Sequence, residues 1–281
     1  MEEQASQNRE GKKGREKEMT FWEHLEELRW HLLRSIVAVI ILAIVAFLNK
    51  RIIFDLIILA PKDEGFITNR LLCRLGDLVG VDALCIGNLE LSIQNINMSG
   101  QFLTHMYVSI VAGFVVAAPY IIWEIWRFVL PALKPGEKRH SKGAVLVSSM
   151  LFILGVLFSY FLIVPLTVHF LGTYQVSPDV PNQIHLSSYI STVVSVTFAV
   201  GLVFELPIFV YFLTRTGLLT PSIMRKNRKI ILVIVLTLSA IITPPDVFSQ
   251  ILVCIPLVAL YEISIRLSER VYRRRQEELA G

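Results

Sequence analysis

Long uncharged apolar runs alternate with short charged segments along this chain. The runs are apolar at every position, not at every second or every third to fourth one. The longest match the roughly 20 residues that a helix needs to cross bilayer hydrocarbon. Six spans are predicted, at about Trp30–Leu48, Phe102–Leu130, Gly143–Leu171, Leu186–Thr214, Ile230–Thr243 and Val247–Ser264. A further apolar segment, Ile52–Ala60, continues beyond Asn49, Lys50 and Arg51. An outer-membrane barrel would show alternation in segments of about ten residues, so the pattern excludes it. The expected fold class is an all-α polytopic membrane protein. With 54% of 281 residues hydrophobic and only 18% charged, the chain lacks the charged faces that a soluble helical domain would carry.

The placement of the charges says more than the net charge of +4. Arg9, Lys12, Lys13, Arg15, Lys17 and Arg29 precede the first span. Lys134, Lys138, Arg139 and Lys142 follow the second. Arg215, Arg225, Lys226, Arg228 and Lys229 follow the fourth, and Arg266, Arg270, Arg273, Arg274 and Arg275 follow the sixth. The loops after spans three and five hold no Lys or Arg. The positive-inside rule then places both the N- and C-termini in the cytoplasm. Lys62, Arg70 and Arg74 lie in a long loop, and long loops cross with little regard to charge. Residues 1–18 are polar, lack the apolar core of a secretory signal, and are expected to form a disordered cytoplasmic tail. Residues 19–267 form the membrane domain, with an extended periplasmic loop at 61–101, and 268–281 a basic cytoplasmic tail.

Spans five and six are short. Ile230–Thr243 would extend about 21 Å as a helix, against hydrocarbon about 30 Å thick. Either the membrane thins beside it or each end runs one turn further. Pro119, Pro165, Pro207 and Pro256 fall inside spans, where each removes a backbone hydrogen bond and is expected to kink its helix.

Candidate chemistry resides in the acids. Glu205 is the only carboxylate between Asp179 and Asp246, inside a stretch otherwise free of charge. A carboxylate there costs about 2.5–3.5 kcal/mol on insertion scales and must face protein or a hydrated cavity. It is either a functional group or a structurally hydrogen-bonded, protonated acid. Thr20 and Glu23 have the form of a capping box, and Glu23, Glu27 and His31 follow at four-residue intervals on one helix face. Glu27, and Glu137 in the short loop between spans two and three, could hold a pair of guanidinium groups through bidentate hydrogen bonds. On a blander view Glu27 sits on a solvated helix end, and Glu137 is balanced by Lys138 and Arg139. Glu124 and Arg127, three apart, read as a local ion pair with no further role.

The run His24-Leu25-Glu26-Glu27-Leu28-Arg29 resembles the HLxELR signature of the TatC family, the multispanning core of the twin-arginine protein translocase. Further matching segments follow in the family's order: Ala60-Pro61; Ala118-Pro119; Trp126-Arg127-Phe128-Val129-Leu130-Pro131-Ala132-Leu133; Glu137-Lys138-Arg139; and Phe204-Glu205-Leu206-Pro207. The last runs from Leu238 through Thr243-Pro244-Pro245-Asp246 to Gln250. The resemblance implies six transmembrane helices in a concave, glove-like arrangement in a bacterial cytoplasmic (inner) membrane. It implies a receptor for twin-arginine signal peptides of folded cargo, driven by the proton-motive force, with no cofactor, metal or catalytic residue. It further implies single-span TatA- and TatB-type partners and self-association, and no nucleic acid. By this resemblance Glu27, Glu137, Arg29, Phe128, Lys138 and Arg139 form the signal-peptide site. Glu205 is the intramembrane partner site, and Pro244, Pro245 and Asp246 belong to a periplasmic cap.

The loop at 61–101 is longer than the family's usual one and carries Cys73 and Cys85. In an oxidising periplasm these could be bonded, or both could be free thiols. Cys254 reads as a buried apolar thiol. A secondary transporter would also use intramembrane acids, but no half-to-half repeat is evident. A membrane enzyme lacks support, because the chain contains no HExxH, GxSxG or P-loop motif.

Overall fold

The computed structural model of the chain describes residues 21–63, 65–79, 92–129, 141–177, 179–180, 182–242 and 247–280. The expected tail at 1–18, Thr20, Cys85, Glu137, Lys138, Arg139, Pro244, Pro245 and Asp246 lie outside these residues.

Four stretches are long and apolar enough to cross a membrane. They are His24–Leu48, Gly100–Val129, Gly143–Thr173 and Leu186–Thr216. The first two are single helices, α1 (Phe21–Leu48) and α3 (Gly100–Val129). Between them lie a π-helical turn (Ile52–Ile58), a short 3₁₀ turn (Ala60–Lys62), helix α2 (Ile67–Val79) and strand β1 (Ile93–Gln94). The third stretch is composite: α4 (Ser141–Phe158), a π segment (Ser159–Ile163) and α5 (Val164–Thr173). The fourth follows strand β2 (Ile184–His185) and breaks into α6 (Leu186–Val203) and α7 (Leu206–Thr216). Helix α8 (Pro221–Lys226) leads into α9 (Arg228–Ile242) and α10 (Val247–Ala280). Helix α9 has 15 residues, or about 22 Å at the helical rise, close to the short length expected. Helix α10 does not stop at the last apolar residue but carries the basic C-terminal segment on as one helix.

Helices α1 and α3 pack antiparallel along a close seam. At its tightest point a β-carbon on Gly113 would lie 2.6 Å from the Ala43 backbone nitrogen and 2.8 Å from the Val39 carbonyl oxygen. A small residue lets two helix backbones approach, which is how packing is gained between helices already surrounded by apolar tails. The rest of the core surrounds α6, whose Ile190, Val193, Val196 and Val200 are buried against Val108 of α3, Val164 of α5 and Val253 and Leu257 of α10. Exposed ion pairs, Arg225 with Glu269 and Arg228 with Glu262, clip α8 and α9 to α10. Such pairs add little stability by themselves.

The four prolines do not behave alike. Helices α3 and α10 continue through Pro119 and Pro256. Pro165 is the second residue of α5, just after the π segment, and Pro207 is the second residue of α7, after the turn at Phe204 and Glu205. Pro165 has no N–H to offer the carbonyl of Phe161, one turn back, and the Thr68 hydroxyl donates to that carbonyl instead. Tyr160 donates to the Ile57 carbonyl at 2.7 Å and Tyr189 to the Ile58 carbonyl at 2.9 Å. Irregular backbone at this end of the bundle is therefore closed by side-chain hydroxyls. In the same region β1 and β2 pair in parallel, Ile93 with Ile184 and Gln94 with His185. This two-residue pairing ties the long loop to the segment entering α6, a strand contact absent from the all-helical expectation.

Gly113→Val should lower the thermal midpoint of the detergent-solubilised protein, with an overpacking cost of about 1–3 kcal/mol. An unchanged melting curve would mean that the α1–α3 seam opens at no cost.

Candidate functional sites: two buried acids

The first site forms where the N-terminal end of α1 meets the C-terminal end of α3. Glu27 and His31 share one face of α1, and Glu27 Oε1 lies 3.9 Å from His31 Nε2. The other ring nitrogen, Nδ1, is hydrogen-bonded to Glu124 Oε2 across the seam. Glu124 is only 1% exposed. Its second oxygen accepts from the Tyr120 hydroxyl at 2.8 Å and lies 3.8 Å from Arg127 Nη1. Arg127 extends outward over the Trp123 ring, 4.8 Å from its centroid. The local ion pair read from the sequence is thus the weakest part of a buried polar cluster. Glu124 and its partner His31 are the functional candidates that sequence reasoning missed. The spacing of Tyr120 and Glu124, one helical turn apart, was the visible signal.

Phe128 joins this cluster from one turn beyond Glu124. Its ring stacks on His24 at 4.3 Å between centroids and meets His31 edge-on at 6.3 Å. His24 and His31 flank Glu27 on α1, so the turn that bears the acid is held against Phe128. One oxygen of Glu27, Oε2, is shielded from solvent and has no hydrogen-bond partner among the described residues. Arg29 is exposed on another face of α1.

The second site is the break in the fourth span. Glu205 occupies the turn between α6 and α7, with φ −77° and ψ −8°. Its N–H donates to the Leu202 carbonyl, and its own carbonyl accepts from Ile208 and Phe209. Pro207 fits the first turn of α7, where a missing N–H is not needed. The Glu205 side chain is buried, and its Oε2 accepts from the Ser148 hydroxyl of α4 at 2.5 Å. Its Oε1 has no partner among the described residues. Close packing of α4 on α6 sets this geometry: a β-carbon on Gly155 would lie 2.7 Å from Phe204 Cβ. Beside the acid is a cavity of about 320 Å³, lined by apolar groups of α3, α4, α6 and α7, including Phe114, Trp126, Phe152 and Phe212. Apart from the Trp126 indole N–H, Glu205 and Ser148 carry its only polar side-chain groups among the described residues.

Cys73 is disulfide-bonded and Cys254 is a free thiol. No group of three or more His, Cys, Asp or Glu side chains could hold a metal ion among the described residues.

These features define a multi-pass α-helical membrane protein with acids placed at one end and in the middle of its apolar spans. Residues 23–256 match the family model described as Sec-independent protein translocase protein (TatC). The chain belongs to the TatC family, a protein-translocation family. The translocase protein TatC of Blattabacterium sp. subsp. Periplaneta americana is 40% identical over 265 residues, covering 94% of this chain and 100% of the relative. TatC of Carboxydothermus hydrogenoformans is 34% identical over 256 residues, covering 90% and 94%. A crystal structure of the twin-arginine translocase receptor TatC is 33% identical, with a TM-score of 0.67, and the match covers 89% of this chain and 99% of that one. A second such structure, in the detergent DDM, has 34% identity and a TM-score of 0.69.

Proposed function

We propose that this chain is the receptor and assembly platform of a twin-arginine translocation system in a bacterial inner membrane. Six spans form a concave, glove-like body with both termini in the cytoplasm. The chain binds twin-arginine signal peptides, recruits TatA- and TatB-type single-span partners, associates with its own copies, and exports folded proteins using the proton-motive force. The two crystal structures of similar sequence are of the twin-arginine translocase receptor TatC, which supports this reading.

The observation that carries it is the patch at the paired ends of α1 and α3. The Glu27 side chain is 32% exposed there, beside the Phe128–His24 stack, and its shielded Oε2 has no hydrogen-bond partner among the described residues. A guanidinium supplies the planar donors such an oxygen lacks, and an aromatic ring offers a face for its carbon stem or charge. Glu137 supplies the second acid, and Arg29, Lys138 and Arg139 belong to the same site. Glu205 and its cavity take a polar group on an incoming partner or signal helix, and Pro244, Pro245 and Asp246 cap the far side between α9 and α10. Site-specific crosslinking from positions beside Glu27 and Glu137 should capture a twin-arginine signal peptide and not its twin-lysine counterpart. Capture that ignores this swap would remove the proposed recognition.

An intramembrane acid is a functional-site candidate by default, and Glu205 Oε1 has no hydrogen-bond partner among the described residues. Glu205→Ala should therefore impair export of a folded twin-arginine reporter at normal levels of the variant in the membrane. Full export would reduce Glu205 to a structural role.

We also propose that Cys73 pairs with Cys85 across the extended loop. Alkylation of the denatured, unreduced chain should then modify one of its three cysteines, and all three after reduction. Modification of all three without reductant would exclude the bond.

A further inference from the structure

Glu27 is held from below by a side chain that is itself held from within the bundle. His31 is 7% exposed and Glu124 1% exposed, so neither is placed to meet a peptide directly. The hydrogen bond from Nδ1 to Glu124 fixes the imidazole plane, and that plane turns Nε2 toward Glu27 at 3.9 Å. Tyr120 fixes the other oxygen of Glu124. A carboxylate this deeply buried persists only when its lone pairs are satisfied, which makes the cluster a rigid anchor. The same imidazole meets the Phe128 ring edge-on. One histidine thus touches both the acid and the aromatic of the proposed peptide site, and its position is set by a residue on the other helix.

We propose that His31 and Glu124 are positioning residues for signal-peptide recognition: a buried clasp between α1 and α3 that presents the Glu27 carboxylate to an arginine. This rests on the reading of Glu27 as a guanidinium acceptor. The clasp lies on the Oε1 side of Glu27, whose side chain is 32% exposed, and leaves Oε2 without a hydrogen-bond partner among the described residues. It spans the two helices where they end, so a change in their spacing moves the acid and Phe128 relative to each other. Discrimination between arginine and lysine depends on that spacing, because a planar fork needs two aligned acceptors or an acceptor and a ring, whereas an ammonium is satisfied as a point charge.

The test is a titration of the full chain in lipid nanodiscs with labelled twin-arginine and twin-lysine signal peptides. His31→Gln and Glu124→Gln should each weaken twin-arginine binding about tenfold, in the middle of the range for coupled neighbours. Twin-lysine binding should stay as in the parent, so the arginine preference falls. The double variant should be no weaker than the weaker single. A purely structural role would lower binding of both peptides alike and overturn the proposal. So would singles whose effects simply add. Glu27→Gln separates the two levels of inference. If it leaves twin-arginine binding intact, the Glu27 reading fails and the clasp's role fails with it. If it weakens binding while the His31 and Glu124 variants do not, only the positioning role is lost. Should either single fail to fold, His31→Leu combined with Glu124→Leu removes both buried polar groups together. Reduced arginine preference in that variant supports the clasp, and unchanged preference overturns it.

Discussion

A polar group left unpaired in hydrocarbon costs several kilocalories per mole, and that constraint organises this molecule. At the two π segments, where the helical ladder is interrupted, side chains from neighbouring elements donate to backbone carbonyls. The carbonyl of Phe161, deprived of a donor by Pro165, accepts from Thr68. The carbonyls of Ile57 and Ile58 accept from Tyr160 and Tyr189. These bonds join the π turn after α1 to the third and fourth spans, so the irregular backbone also serves as cross-linking. The two acids obey the same constraint in different ways. Glu124 is satisfied on both oxygens. Glu205 is satisfied on one, by Ser148. Among the described residues, the second oxygen of Glu205 has no partner.

Much of the fold was legible because hydrophobic runs of membrane length have few alternatives. The second, third and fourth predicted spans agree with the helical stretches to within about two residues, since loss of apolar character and loss of helix coincide at a bilayer boundary. The first apolar run begins only at Trp30, but the capping-box pattern at Thr20 and Glu23 marked an earlier helix start, and helix α1 begins at Phe21. Helix α10 likewise outruns its apolar portion, since Ser268 and Val271 are buried against the bundle while Arg270, Arg273 and Arg274 face outward.

At the sites, sequence reasoning found the residues that stand out locally and missed those defined by a partner far along the chain. Glu205 was conspicuous because nothing near it is charged. Glu124 was not, because Arg127 stood three residues away and supplied a plausible local partner. Its tighter contact, to His31, spans 93 positions, and no short-range pattern encodes that. Ser148 was invisible for a similar reason: a serine in an apolar helix usually bonds its own backbone, and only the α4–α6 packing turns it to Glu205.

Helix α3 connects the two acidic sites. Its last turns present different faces to different neighbours. Tyr120, Glu124 and Phe128, at successive four-residue steps, face α1 and hold the clasp. Ile122, Ile125, Trp126 and Val129 face the cavity beside Glu205, with Trp126 set edge-on against Phe212 of α7. On the proposed function, a peptide bound at the Glu27 end bears on the same helix that forms one wall of the Glu205 cavity. Close-packed helices move as units more readily than they deform, so a shift of α3 at the clasp is also a shift of the cavity wall. On the proposed function, the physical link between recognition at the membrane surface and events at the intramembrane acid is one helix with two faces.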